Sequence, residues 1–145
     1  MAEEHQYCTF FVDGHFFGVD VMKVQEIIRY QEMTPVPLAP PVVRGLINLR
    51  GQIVTAIDLR RRLACSDRPS DQKPVNIVMQ TGDGAVSLLV DEIGDVLNVD
   101  EALFEPPPDT LVGAPRTLIR GAYKLSDRLL LLLDIDKVLE LNSVS

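Results

Sequence analysis

At 145 residues, with 14 basic against 21 acidic side chains and a formal charge of −7, the chain has the size of one ordinary domain or two small joined ones, and its charge repels phosphate backbones and anionic lipid. Two cysteines without a Cys-x-x-Cys spacing exclude a disulfide framework, and with only His5 and His15 beside them a thiolate or imidazole metal cage is hard to assemble. The start, Met1-Ala2-Glu3-Glu4-His5, is acidic where a secretory signal needs positive charge, and no apolar run approaches the roughly 20 residues of a membrane span, so a cytoplasmic protein without nucleic-acid partner, membrane insertion or cofactor is expected.

Residues 7–12 and 16–19 are rich in aromatic and β-branched types and flank Asp13-Gly14, a strong hairpin signal, so they read as the first two strands. Asp20 then suits an N-cap, and 21–28 reads as a short amphipathic helix, because Val21, Val24, Ile27 and Ile28 fall on one arc at 100 degrees per residue. Ile27 lies at the edge of that arc and Val24 in its middle, so Ile27 is the better candidate for exposure. Prolines 35, 37, 40 and 41 hold an extended connection, after which the apolar segments around Arg50-Gly51 form a second hairpin.

The arginine trio 60–62 follows Asp58-Leu59 and reads as the solvated face of a short helix. Residues 66–74 are polar and punctuated, the expected seam between two halves. Strands are expected at 75–80, 85–90 and 93–99, a second proline connection at 106–108 and 115, then strands at 118–125 and 128–133 and a terminal helix over 134–141. The five leucines 129–133 contain no polar member, so their strand should be covered on both faces or lie between the halves. Many short strands, tight turns and little helix argue for small barrels, whose closure removes vulnerable edges.

The hairpin segment returns 76 positions later. Arg44/Arg120, Gly45/Gly121, Leu49/Leu125, Asp58/Asp134 and Leu63/Leu139 are five identities in twenty ungapped positions, which suggests a duplicated unit.

Catalytic chemistry finds little footing. Cys8 and His15 are the sole conceivable nucleophile and base pair, and Cys8 alternates with Phe10 as a small buried hydrophobe would. Asp91, Glu92, Asp95, Asp134 and Asp136 supply oxygen ligands without the spacing of a calcium loop; a small divalent-metal-dependent hydrolase using clustered carboxylates is the alternative they leave open.

Val24-Gln25-Glu26-Ile27, Arg44-Gly45, Asn48-Leu49-Arg50-Gly51 and Ile57-Asp58-Leu59, in that order, give the chain an end-to-end resemblance to the bacterial chemotaxis coupling proteins, the CheW-like family. It departs at Thr55, where that family commonly carries proline. The resemblance implies a mainly β fold, two intertwined five-stranded SH3-like β-barrels with short helices, in a single domain over 1–145 made of two pseudo-repeated barrel subdomains with a seam near 64–74. It implies a non-catalytic adaptor in signalling arrays, joining the cytoplasmic tip of a chemoreceptor (a methyl-accepting chemotaxis protein) to the regulatory domain of the histidine kinase CheA, with other CheW copies as further ring partners. Service in a surface-motility or second-messenger pathway is the alternative within the family. By the same resemblance the receptor tip lies in a groove between the barrels, against Val24, Ile27 and Tyr30, with Val75 on the other wall. Array contacts fall on Glu26, Asn48, Arg50 and Gly51, and Glu26 is the expected ion-pair partner of Arg50, whose five fixed donors suit a carboxylate.

Overall fold

The computed structural model describes residues 4–82 and 84–140. Its elements in chain order are β1 (Glu4–Val12), β2 (His15–Asp20), β3 (Val24–Ile28), β4 (Val43–Leu49), β5 (Gln52–Asp58), α1 (Leu59–Arg62), β6 (Val75–Thr81), β7 (Gly84–Val90), β8 (Glu92–Asp100), α2 (Ala114–Leu118), β9 (Ile119–Lys124), β10 (Leu129–Leu133) and α3 (Ile135–Val138). The strands form two five-stranded sheets, ordered β8-β1-β2-β10-β9 and β3-β6-β7-β5-β4.

Two hairpins are set by their turn residues. Asp13 and Gly14 have φ of 50° and 80°, and Arg50 and Gly51 have 53° and 88°, the doubly left-handed turn whose twist matches that of the flanking strands. Each sheet curls on itself through its proline connection. Thr34, directly before Pro35, makes one antiparallel bridge to Leu46 of β4; Glu105, directly before Pro106, makes one to Ala122 of β9. A residue before proline is pushed into the extended region, and the proline then offers no donor with which to continue the ladder.

The segment expected as a helix is different. Val21–Lys23 is a single 3₁₀ turn, capped by the Asp20 carboxylate accepting from the Met22 N–H at 2.9 Å, and residues 24–28 are strand β3. A bulge between Val24 and Glu26 shifts the β3–β6 register, so that Val24 pairs with Met79 while Ile27 pairs with Ile77. One inserted residue thus places positions three apart on one face, which imitates helical spacing in the sequence. The terminal helix is also shorter than expected: α3 ends at Val138, and Leu141 lies outside the described residues.

The sequence repeat is a repeat of structure. The Asp58 N–H donates to the Val42 carbonyl at 2.7 Å and the Asp134 N–H to the Leu118 carbonyl at 2.8 Å; both aspartates cap the short helix that follows. The run β1 to α1 corresponds to the run β6 to α3, and residues 64–74 join them. Each sheet nonetheless takes strands from both runs, since β1 and β2 pair into the sheet of β8, β9 and β10 while β6 and β7 pair into that of β3, β4 and β5. The barrels are therefore intertwined, and residues 64–74 lead from β5 and α1 to β6, within one sheet, whereas the chain crosses between sheets at 21–23 and at Asp91.

Among the described residues three apolar clusters form the core. Tyr7, Val99, Tyr123, Leu130 and Leu132 occupy the first barrel, and Ile47, Leu49, Val54, Val78 and Ala85 the second. The largest lies between the sheets, with Phe10, Val12 and Phe17 from one meeting Ile57, Ile77, Met79 and Leu88 from the other, beside Leu59 and Leu63 and, from the second repeat, Ile135 and Val138. The leucine strand serves two of these at once: Leu130 and Leu132 point into the first barrel, Leu131 and Leu133 into the layer between sheets. This accounts for its lack of any polar residue.

Candidate partner-binding surface

Residues paired across an antiparallel ladder share a face, so Val24 and Ile27 stand on the face of Met79 and Ile77, turned toward the layer between the sheets. Val24 is half-buried against that layer. Ile27, farther along the edge strand, is 40 % exposed. Val75 lies two residues before Ile77 on β6 and packs on the same cluster, so it lines the wall that β3 lines and not an opposite one. Tyr30, just past β3, is half-buried, with the Lys73 ammonium 4.4 Å from its ring centroid.

The other face of β3 turns into the second barrel. Ile28 packs on the cluster containing Ile47, and Glu26, at the rim, forms an ion pair with Arg50. This contact joins one edge strand of the sheet to the hairpin tip of the other edge, closing the barrel. The Arg50 hydrogen bond holds the Glu26 carboxyl below its usual range, aided by Gln25 and opposed by partial burial. Asn48 shapes the tip, its side-chain oxygen accepting from the Gly51 N–H at 2.9 Å. Arg50 stays largely exposed, and Ile53, paired with Asn48, adds an exposed apolar side chain beside it.

The arginine trio does not form a solvated face. Arg60 is buried and grips Asp91 bidentately, Nε to Oδ1 at 3.0 Å and Nη2 to Oδ2 at 2.7 Å. Arg61 donates to Asp67 and to the Pro41 carbonyl, and Arg62 to the Val138 and Lys137 carbonyls at the end of α3, where a cation is favoured. Arg68, from the polar stretch 66–74, has a side chain only 4 % exposed and donates from Nε to Asp91 at 2.9 Å. No local sequence signal marks this cluster, because its members come from three separate stretches of chain.

The groups considered for catalysis are dispersed. Cys8 pairs in register with Val19 and His15 with Val12, so they sit apart along the hairpin, and burial, followed by the charge of Asp20, pushes the Cys8 thiol up. Asp91 is taken by arginines and Asp134 caps α3. Among the described residues no three His, Cys, Asp or Glu side chains gather as a ligand set, and the metal-hydrolase alternative finds no support. Among the described residues no helix is long and apolar enough to cross a membrane.

Residues 6–143 match the family model described as CheW-like domain. The chain is 34 % identical over 134 residues to a chemotaxis protein CheW of Klebsiella aerogenes, covering 92 % of this chain and 81 % of the relative, and 35 % identical over 130 residues to that of Rhizobium meliloti, covering 90 % and 84 %. Among solved structures it superposes on the scaffolding protein TtCheW of Thermoanaerobacter tengcongensis with a TM-score of 0.87 at 25 % identity, covering 98 % of this chain and 97 % of the other. With the matched model running through all ten strands but the first residues of β1, and the paired barrels reproduced from end to end, the chain belongs to the CheW-like domain family.

Proposed function

We propose that this protein is a non-catalytic scaffold of a bacterial chemotaxis array, coupling the cytoplasmic tip of a methyl-accepting chemoreceptor to the regulatory domain of the histidine kinase CheA. The observation that carries this reading is the near-complete match, in sequence and in superposition, to chemotaxis proteins and to a scaffolding protein. Both partners act on the cytoplasmic side, and the adaptor works there with them.

Two surfaces serve the two contacts. The apolar strip of Val24, Ile27, Val75 and Tyr30 receives the helical receptor tip, supported by an isoleucine left exposed on an edge strand beside a buried layer. The tip formed by Asn48, Arg50 and Gly51, with Glu26 behind it, meets the kinase domain or a further adaptor copy, supported by a charged group projecting from a rigid two-residue turn. Such a contact joins unlike faces, which builds a ring when its rotation closes.

Co-sedimentation of the purified protein with receptor-bearing membranes and kinase tests this. Arg50→Glu is expected to leave the melting temperature almost unchanged and to abolish recovery of the ternary complex, and Glu26→Ala to weaken it more mildly. Full retention by Arg50→Glu would remove the tip from the interface.

A further inference from the structure

The chain passes between the sheets at Asp91 without a loop, for β7 ends at Val90 and β8 begins at Glu92. The Asp91 N–H donates to the Phe11 carbonyl at 2.9 Å, and Oδ2 accepts from the Asp13 N–H at 2.7 Å, which fastens the crossing to the β1–β2 hairpin of the first sheet. The same carboxylate takes Arg60, in α1 directly after β5 of the second sheet, and Arg68, from the link between the repeats.

Around it stand four guanidiniums and three further carboxylates. Arg60 Nη1 is 3.6 Å from Asp13 and also donates to the Ser66 carbonyl at 3.1 Å. Asp58, its side chain 2 % exposed, lies 4.0 Å from Arg68, 3.2 Å from Arg44 and 3.9 Å from Arg61, which also pairs with Asp67 at 3.1 Å. A buried ionic cluster adds little net stability over apolar packing of the same volume, while a bidentate arginine–carboxylate pair within it favours a fixed mutual orientation. Among the described residues the other crossing shows no such ion-paired cluster: Asp20 caps an exposed turn, and the position that repeats Arg60 is Asp136.

We propose that the Arg60–Asp91–Arg68 cluster is a clamp that fixes the angle between the two barrels, with Asp91 as its positioning residue. The geometry of the crease holding Val24, Ile27 and Val75 then depends on a carboxylate that need not touch a partner; this consequence, unlike the clamp itself, rests on the adaptor reading.

The clamp is tested on the protein alone, so its failure is separable from failure of that reading. In Asp91→Asn, hydrogen exchange is expected to accelerate at 12–14, 64–74 and 90–92 by about tenfold or more beyond any change at the inner amides of β6 and β7. Spin labels at Ile53→Cys and Val96→Cys, both exposed and one on each sheet, in a background of Cys8→Ala and Cys65→Ala, are expected to give a broadened distance distribution far below the melting temperature. Arg68→Gln leaves the Arg60 pair intact and is expected to show a smaller version of both effects; it decides the matter if Asp91→Asn does not fold. Acceleration by one common factor in all elements, or an unchanged distance distribution, would overturn the clamp.

Discussion

Gly45 and Gly121 explain why an Arg-Gly pair appears twice. A Cβ at Gly45 would stand 2.6 Å from the Thr34 carbonyl oxygen, and one at Gly121 would stand 2.7 Å from that of Glu105, besides meeting the Phe104 ring. Both carbonyls belong to the single bridges that curl each sheet closed, so neither can withdraw without breaking its bridge. Gly45→Ala and Gly121→Ala are each expected to cost about 1–3 kcal/mol in urea unfolding. Gly82→Ala, with nothing within 4 Å, is expected to stay within about 0.5 kcal/mol. The repeated glycine was legible as a pattern, but its cause lies in a backbone ten or more residues upstream.

Asp91 adds a pH dependence at the same scale. Burial pushes its carboxyl up, and the hydrogen bonds from Arg60, the Asp13 N–H and Arg68 outweigh this, so it rests below the usual range. A depressed folded pKa means that its stabilisation is complete above the unfolded carboxylate value of about 4 and disappears as the pH falls through the lower folded value. Asp91→Asn is expected to be less stable than the parent chain at pH 7 by about 2 kcal/mol or more, with the two urea midpoints converging in acid. Curves that stay parallel down to low pH would assign the loss to shape and not to charge.

Among elements, β3 is a strand where the spacing predicts a helix. Apolar residues at 21, 24, 27 and 28 satisfy a helical period, but the bulged strand puts Val24 and Ile27 on one face and Ile28 on the other, with Val21 in the preceding turn. Ile27 proves exposed because it lies toward the end of an edge strand, a property no periodicity contains. The two residues should separate in experiment. Val24→Ala is expected to lower stability by about 1–2 kcal/mol through lost contacts with the layer between sheets, whereas Ile27→Lys should leave the melting temperature nearly unchanged and reduce binding to receptor-bearing membranes. A melting loss for Ile27→Lys as large as that for Val24→Ala would place Ile27 in the core.

At the level of the whole molecule, nine of the ten strands, the two-residue turns and the repeat were readable in the residue pattern, while β3 was hidden in a helical spacing. The exchange of strands between barrels leaves no trace in spacing and was implied only by the family resemblance: β2 lies parallel to β10, and β5 parallel to β7, with Leu131 opposite Phe17, 114 positions away, and Thr55 opposite Val86, 31 positions away. Neither repeat can therefore complete a barrel alone. A fragment of residues 1–68 lacks β6 and β7 to cover β3 and β5, and a fragment of residues 69–145 lacks β1 and β2. Each is expected to show no dispersed amide spectrum by itself. The intact chain, cut at a protease site placed between Arg68 and Lys73, is expected to elute as one species under native conditions and to separate only in denaturant, because the severed link carries no strand while the parallel pairs hold the pieces together. If either fragment folds alone with native hydrogen-exchange protection, each barrel belongs to one repeat and the interlocked arrangement is wrong.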